Sequence, residues 1–252
     1  GVPFFRGELV RRYIACTLTY FCKVTGIGYK QGMNEILAPL IGVEFLVEAE
    51  DTPIIDPRPE EEGREWWAAW ARIYRMFCSW MKWWLPHAYQ DEDFTALQST
   101  CHLLRLLVRH HVPKLGAHLD RSALPPELYA PPWLLTCWAR PLPLEDCYLL
   151  WDILLARETP DPLLSPFLSI ALLERHAAHI LQQDISSLPE IVCTLPERTR
   201  TKKGGDLGTL LKTRAEALLA STPHSLLDLL RRVWLGLPEA PPQGRKSRKV
   251  MN

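Results

Sequence analysis

An excess of either charge is the first thing this chain lacks. Its 252 residues balance 29 Lys and Arg against 29 Asp and Glu, which disfavours a uniformly basic nucleic-acid binder. A membrane span is missing as well. No apolar run approaches the roughly 18 residues that a spanning helix needs, and Glu44 interrupts the longest candidate, residues 37–47. The opening residues carry no signal-peptide pattern. The seven cysteines (Cys16, Cys22, Cys78, Cys101, Cys137, Cys147 and Cys193) are odd in number and form no C-x-x-C pair. They sit among apolar neighbours, so reduced core thiols in an intracellular protein are expected. No period-two alternation flanked by hairpin turns occurs, and nothing recurs at 20 to 50 residues, which argues against sheets and solenoids.

Chemical motifs are scarce too. The chain has no G-x-S-x-G nucleophile elbow, no G-x-x-x-x-G-K-[ST] phosphate loop and no G-x-G-x-x-G fingerprint, so it is not expected to bind or activate a nucleotide by itself. Its eight histidines include no H-E-x-x-H. His110 and His111 are adjacent and would diverge by about 100° on a helix. His176 and His179 share a face with Glu174 but have no evident third ligand, so no metal is expected. The basic run Arg198, Arg200, Lys202 and Lys203 reads as a solvated loop.

What the chain does have is helical periodicity. Hydrophobic residues make up 47% of it, enough for a sizeable core. Leu9, Val10, Tyr13, Ile14, Thr17, Tyr20, Phe21 and Val24 recur at three- and four-residue steps until Gly26 and Gly28 stop the pattern. A second stripe follows from Met33, with Pro39 expected to kink it. Residues 51–63, with three prolines and an acidic cluster, read as a solvated loop. Trp66, Trp67, Trp70, Ile73, Tyr74, Phe77, Trp80, Met81 and Trp84 are spaced as a helix face and are expected to be core. Further helices are expected over 93–111, 133–138, 144–156, 162–182, 208–220 and 224–235. The tail from Pro238 turns basic at Arg245, Lys246, Arg248 and Lys249 and reads as a linker. The fold class is all-α. Residue 1 is Gly rather than Met, so the chain reads as a piece of something longer.

Residues 26–40, GIGYKQGMNEILAPL, stand apart. Gln31 lies directly against a glycine at the mouth of a helix. Glutamine carries an acceptor and a donor on one uncharged arm, which suits it to hold a water while donating to a phosphate oxygen, its task in GTP hydrolysis. It could equally just begin a helix beside a permissive glycine.

Tyr29-x-Gln31-Gly32-Met33-Asn34-Glu35-x-Leu37-x-Pro39-Leu40 resembles the glutamine-finger motif of the TBC domain, the catalytic domain of Rab GTPase-activating proteins. Tyr129, Trp133-Leu134-Leu135-Thr136, Ala139-Arg140-x-Leu142-Pro143-Leu144 and Trp151-Asp152 are similar to a second stretch of that family, in the same order. Residues 1–5 resemble the family's "PFF" stretch. The resemblance implies two helical subdomains forming a V-shaped groove that receives a Rab-type small GTPase. It divides the chain into 1–120, an N-terminal part carrying the glutamine; 121–237, a C-terminal helical subdomain; and 238–252, the tail. It also implies a catalytic role for Gln31, with Tyr29, Gly32 and Asn34 shaping its loop. Trp133, Arg140, Trp151 and Asp152 match motif positions with an expected scaffold role, Asp152 capping or pairing locally. GTP and magnesium would be carried by the GTPase, this chain holding no cofactor, and the setting would be cytoplasmic, peripheral to endomembranes through the GTPase.

The family's arginine finger lies in an I-x-x-D-x-x-R motif that these 252 residues do not contain. The resemblance places it upstream of residue 1. A non-catalytic TBC-like module that binds a GTPase or other partner is the alternative.

Overall fold

The computed structural model describes residues 7–46, 64–83, 89, 93–155, 161–198 and 206–236. Residues 1–5, the 51–63 loop, Trp84, the cations at 200, 202 and 203, and the tail lie outside them. Among the described residues every element is helical and there is no strand, in line with the all-α expectation.

The first stripe becomes α1 (Glu8–Thr25), burying Val10, Tyr13, Thr17, Leu18 and Phe21. Gly26 ends it at φ 73°, donating its N–H back to the Cys22 carbonyl at 3.0 Å; glycine takes this left-handed cap without a Cβ penalty. The second stripe becomes α2 (Met33–Leu46), which buries Met33, Ile36, Leu37, Leu40 and Ile41 and is assigned as one helix through Pro39. α3 (Arg64–Trp83) buries Trp66, Ile73, Phe77, Trp80 and Met81. Trp67, expected in the core, is instead 61% exposed, because it turns about 100° away from Trp66 on the helix.

α4 (Thr95–His111) turns into α5 (Pro113–Arg121), where Pro113 starts the new helix, its lost N–H falling where none is needed. A 3-10 turn, Pro126–Leu128, leads into α6 (Pro131–Leu135). The helix expected over 133–138 therefore stops early, because Cys137 and Trp138 take φ 46° and 68°. α7 (Leu144–Leu155) and α8 (Leu164–Arg175) follow. The expected 162–182 helix divides at His176, whose φ −98° and ψ 5° cap α8 before α9 (Ala177–Ile180). α10 (Leu188–Cys193) and α11 (Leu195–Arg198) were not expected. α12 (Asp206–Ser221) and α13 (His224–Leu235) complete the described chain.

Helices α1, α2 and α3 pack on one another, while α4 packs on α5, α8 and α13, and α12 packs on α8 and α7. Residues 164–173 of α8 are all buried, as a helix apolar on every side must be. Among the contacts that join the groups, α7 meets α2, and Tyr148 of α7 donates its hydroxyl to the Pro39 carbonyl at 2.8 Å. Cys101, Cys137 and Cys147 are buried and Cys22 and Cys78 partly so, but Cys16 and Cys193 are exposed, which corrects the expectation that all seven are core residues. Among the described residues no helix is long and apolar enough to cross a membrane.

Candidate functional site

Between α1 and α2 the chain makes a tight loop that exposes Gln31 and buries its neighbour Gly32. Gly32 has φ 108°, and a Cβ on it would overlap the phenol oxygen of Tyr89. Only glycine fits there, on grounds of both backbone and space. The Gly32 carbonyl accepts the N–H groups of Glu35 at 3.0 Å and Ile36 at 3.1 Å, and the Lys30 carbonyl accepts that of Met33 at 3.2 Å. These bonds start α2 directly behind the glutamine.

The side chains around Gln31 hold the loop in place. Tyr29, 56% exposed, donates its hydroxyl to Asn34 Oδ1 at 3.1 Å. Lys30 Nζ lies 4.7 Å from the centre of the Phe94 ring, a cation–π contact. Tyr89 is buried and donates its hydroxyl to the Leu135 carbonyl at 3.0 Å. Burial, and then the nearby Glu35 charge, push its pKa far above the usual phenol range, so it stays a neutral donor. Tyr29, Gly32 and Asn34 thus gather around Gln31.

The second motif stretch folds back onto this loop. After α6, Thr136 donates its hydroxyl to the Pro132 carbonyl at 2.5 Å and accepts the Arg140 N–H at 3.1 Å. The Trp138 N–H reaches the Trp133 carbonyl at 2.9 Å, closing the left-handed turn that ends α6. Trp151 is buried, donates its indole N–H to the Cys137 carbonyl at 2.7 Å, and packs on Trp80 at 4.2 Å between ring centres. Trp133 is buried and stacks on Trp138 at 5.4 Å. Asp152 is exposed and joins no cap or ion pair among the described residues.

Arg140 links the two halves. It is half exposed, and its Nε lies 3.8 Å from Glu35 Oε1 at the start of α2. Burial pushes the Glu35 carboxyl above its usual pKa, and the Arg140 charge partly offsets this. The result is a loop carrying the exposed Gln31, flanked by aromatic rings and by the Glu35–Arg140 pair. Such an amide can hold a water through its carbonyl and donate through its NH₂.

Tyr89, Phe94, Thr136 and the pairing of Glu35 escaped the sequence reading. Tyr89 lies in a stretch with no periodicity, and its partners Gly32 and Leu135 are 57 and 46 residues away along the chain. The one available hint was Gly32 itself, a glycine placed where a helix begins. His110 and His111, expected to diverge, meet edge-on at 4.7 Å between ring centres. Among the described residues no group of three or more His, Cys, Asp or Glu is placed to hold a metal ion.

Comparison with known proteins gives consistent matches. The family model for the Rab-GTPase-TBC domain matches residues 13–181. The human TBC domain-containing protein kinase-like protein is 22% identical over 169 residues, covering 67% of this chain and 16% of its own length. TBC1 domain family member 12 of Xenopus tropicalis is 26% identical over 184 residues, covering 73% of this chain and 23% of its own. The chain therefore spans less than a quarter of these relatives. The crystal structure of the Ypt/Rab-GAP domain of Gyp1p superposes with a TM-score of 0.73 at 17% identity, over 86% of this chain and 68% of that one.

Proposed function

This chain belongs to the Rab-GTPase-TBC domain family, and on that premise we propose that it is a GTPase-activating domain for a Rab-type small GTPase, with Gln31 as the residue that positions the attacking water. The observation that carries this reading is the contrast between residues 31 and 32: an exposed amide on a backbone that its neighbours hold in one conformation. Fixed geometry is what water positioning demands. Catalysis of phosphoryl transfer is almost entirely placement and charge stabilisation, and the partner GTPase supplies nucleotide and magnesium.

In this reading the Gln31 carbonyl accepts a hydrogen bond from the water and its NH₂ donates toward the γ-phosphate. Tyr29 and Asn34 hold the outer side of the loop, while Gly32 allows the close approach to Tyr89. Trp133, Trp151 and Arg140 act on the scaffold, fixing the turn that meets the loop. This reading pairs Gln31 with a charge-neutralising arginine, which these 252 residues do not supply in an I-x-x-D-x-x-R motif. An arginine finger is worth about 10³ to 10⁵ in rate, so the 252 residues alone should bind a cognate GTPase and stimulate hydrolysis weakly or not at all. We place the protein on the cytoplasmic side of membranes, where its partner acts.

Single-turnover GTP hydrolysis across a panel of Rab proteins tests this, using the intact protein with and without Gln31→Ala. A loss of about 100-fold or more in stimulated rate is expected, by analogy with removal of one catalytic hydrogen-bond donor, with GTPase binding retained. The alternative is a module that binds without activating. Unchanged hydrolysis by the intact protein on every Rab that it binds would establish that alternative instead.

A further inference from the structure

Helices α1 and α3 carry a second aromatic assembly at the edge of the core, running out to the surface. Tyr20 of α1 meets Trp70 and Tyr74 of α3 edge-on, at 5.3 and 5.1 Å between ring centres. Trp70 and Tyr74 stack at 5.3 Å with 16° between their planes, and Trp67 stands edge-on to Trp70 at 5.9 Å. Tyr20 is 48% and Trp67 61% exposed. Trp70 and Tyr74 are half-buried and pack against the core beside Trp66 and Ile73, while Tyr20 and Trp67 stand out from it. Tyr20 and Trp67 are the exposed ends of one continuous set of rings, and exposed aromatic surface marks an interaction site.

Charge indicates what this surface meets. The chain as a whole is neutral, yet α1 holds one acid, Glu8, against Arg11, Arg12 and Lys23, and α3 holds one, Glu65, against Arg64, Arg72, Arg75 and Lys82. Lys23 lies one turn beyond Tyr20, on its side of α1. Arg75 follows Tyr74, and its Nε donates to the Ala71 carbonyl of its own helix, not to a carboxylate. The face is therefore an indole and phenols flanked by cations on long stems. Trp and Tyr are enriched at the boundary between headgroups and acyl chains, and Lys and Arg reach from there to anionic headgroups.

We propose that the Tyr20, Trp67, Trp70 and Tyr74 face of α1 and α3, with Lys23 and Arg75, docks on the headgroup region of an anionic lipid bilayer. The contact is peripheral, made by side chains of two packed helices, and is independent of any GTPase.

Co-sedimentation of the whole chain with phosphatidylcholine vesicles, with and without phosphatidylserine, tests it. Binding is expected only with phosphatidylserine and should fall as salt rises. Trp67→Ala should weaken it about tenfold. Lys23→Glu combined with Arg75→Glu should weaken it by more than about tenfold, since each surface cation contributes about fivefold. A variant with Arg245, Lys246, Arg248 and Lys249 all changed to Gln should still bind through the helix face. Trp67 is exposed, so far-UV circular dichroism of its variant should match wild type. The proposal is overturned if wild type ignores phosphatidylserine vesicles, if the helix variants bind as wild type does, or if only the tail variant loses binding. It is also overturned if light scattering shows a dimer that Trp67→Ala abolishes while vesicle binding is absent, because the face then belongs to a second copy.

Discussion

Two adjacent residues, Gln31 and Gly32, separate chemistry from folding. Gln31 is exposed, so Gln31→Ala should leave the thermal midpoint unchanged while removing GTPase stimulation. Gly32→Ala should do the reverse of harmless: a Cβ at φ 108° strains the backbone and drives into the Tyr89 hydroxyl. A loss of about 2 to 4 kcal/mol is expected in urea unfolding, and Gly32→Ala with Tyr89→Phe should recover part of it by removing the clashing oxygen. The place of Gln31 at the mouth of α2 was legible because the flanking glycines and the apolar stripe can be read from residue types. The role of Tyr89 was not, since a contact across 57 positions leaves no local pattern.

At the scale of elements, the turn after α6 rests on Trp151. Its indole N–H supplies a partner for the Cys137 carbonyl, and its ring packs on Trp80. Trp151→Phe leaves that carbonyl unpaired in a buried place and should cost about 2 to 3 kcal/mol, measured by chemical denaturation. Tyr148→Phe should cost about 1 kcal/mol, through loss of its bond to the Pro39 carbonyl. Helices α1, α2, α4, α7 and α13 were visible as apolar stripes bounded by glycine or proline. The early end of α6 was not, because Cys137 occupies a left-handed position that usually announces itself as glycine. The break at His176 and the short α10 and α11 were missed because one or two turns give too few repeats to show a period.

For the whole molecule, His111 ties the end of α4 to the end of α12 through a 2.8 Å hydrogen bond between its Nε2 and Thr222 Oγ1. Burial lowers its pKa below the ordinary 6.5, and the neighbouring His110 and Arg214 charges add to that against an opposing Glu174. Burial likewise lowers that of His176. A depressed base binds fewer protons folded than unfolded, so its stabilisation is complete above pH 6.5 and is lost as pH falls through the folded pKa. Melting temperatures should therefore drop on acidification below that point, and His111→Gln, which keeps a hydrogen-bonding arm without the titration, should show a shallower drop. The bond between Tyr89 and Leu135 and the pair of Glu35 with Arg140 also set an order of events during synthesis. Gln31 leaves the ribosome first, and the residues that complete its surroundings follow roughly a hundred positions later. A fragment ending before α6 would carry the glutamine and not its setting, so the loop around Gln31 is complete only once the chain beyond Arg140 has folded back to meet it.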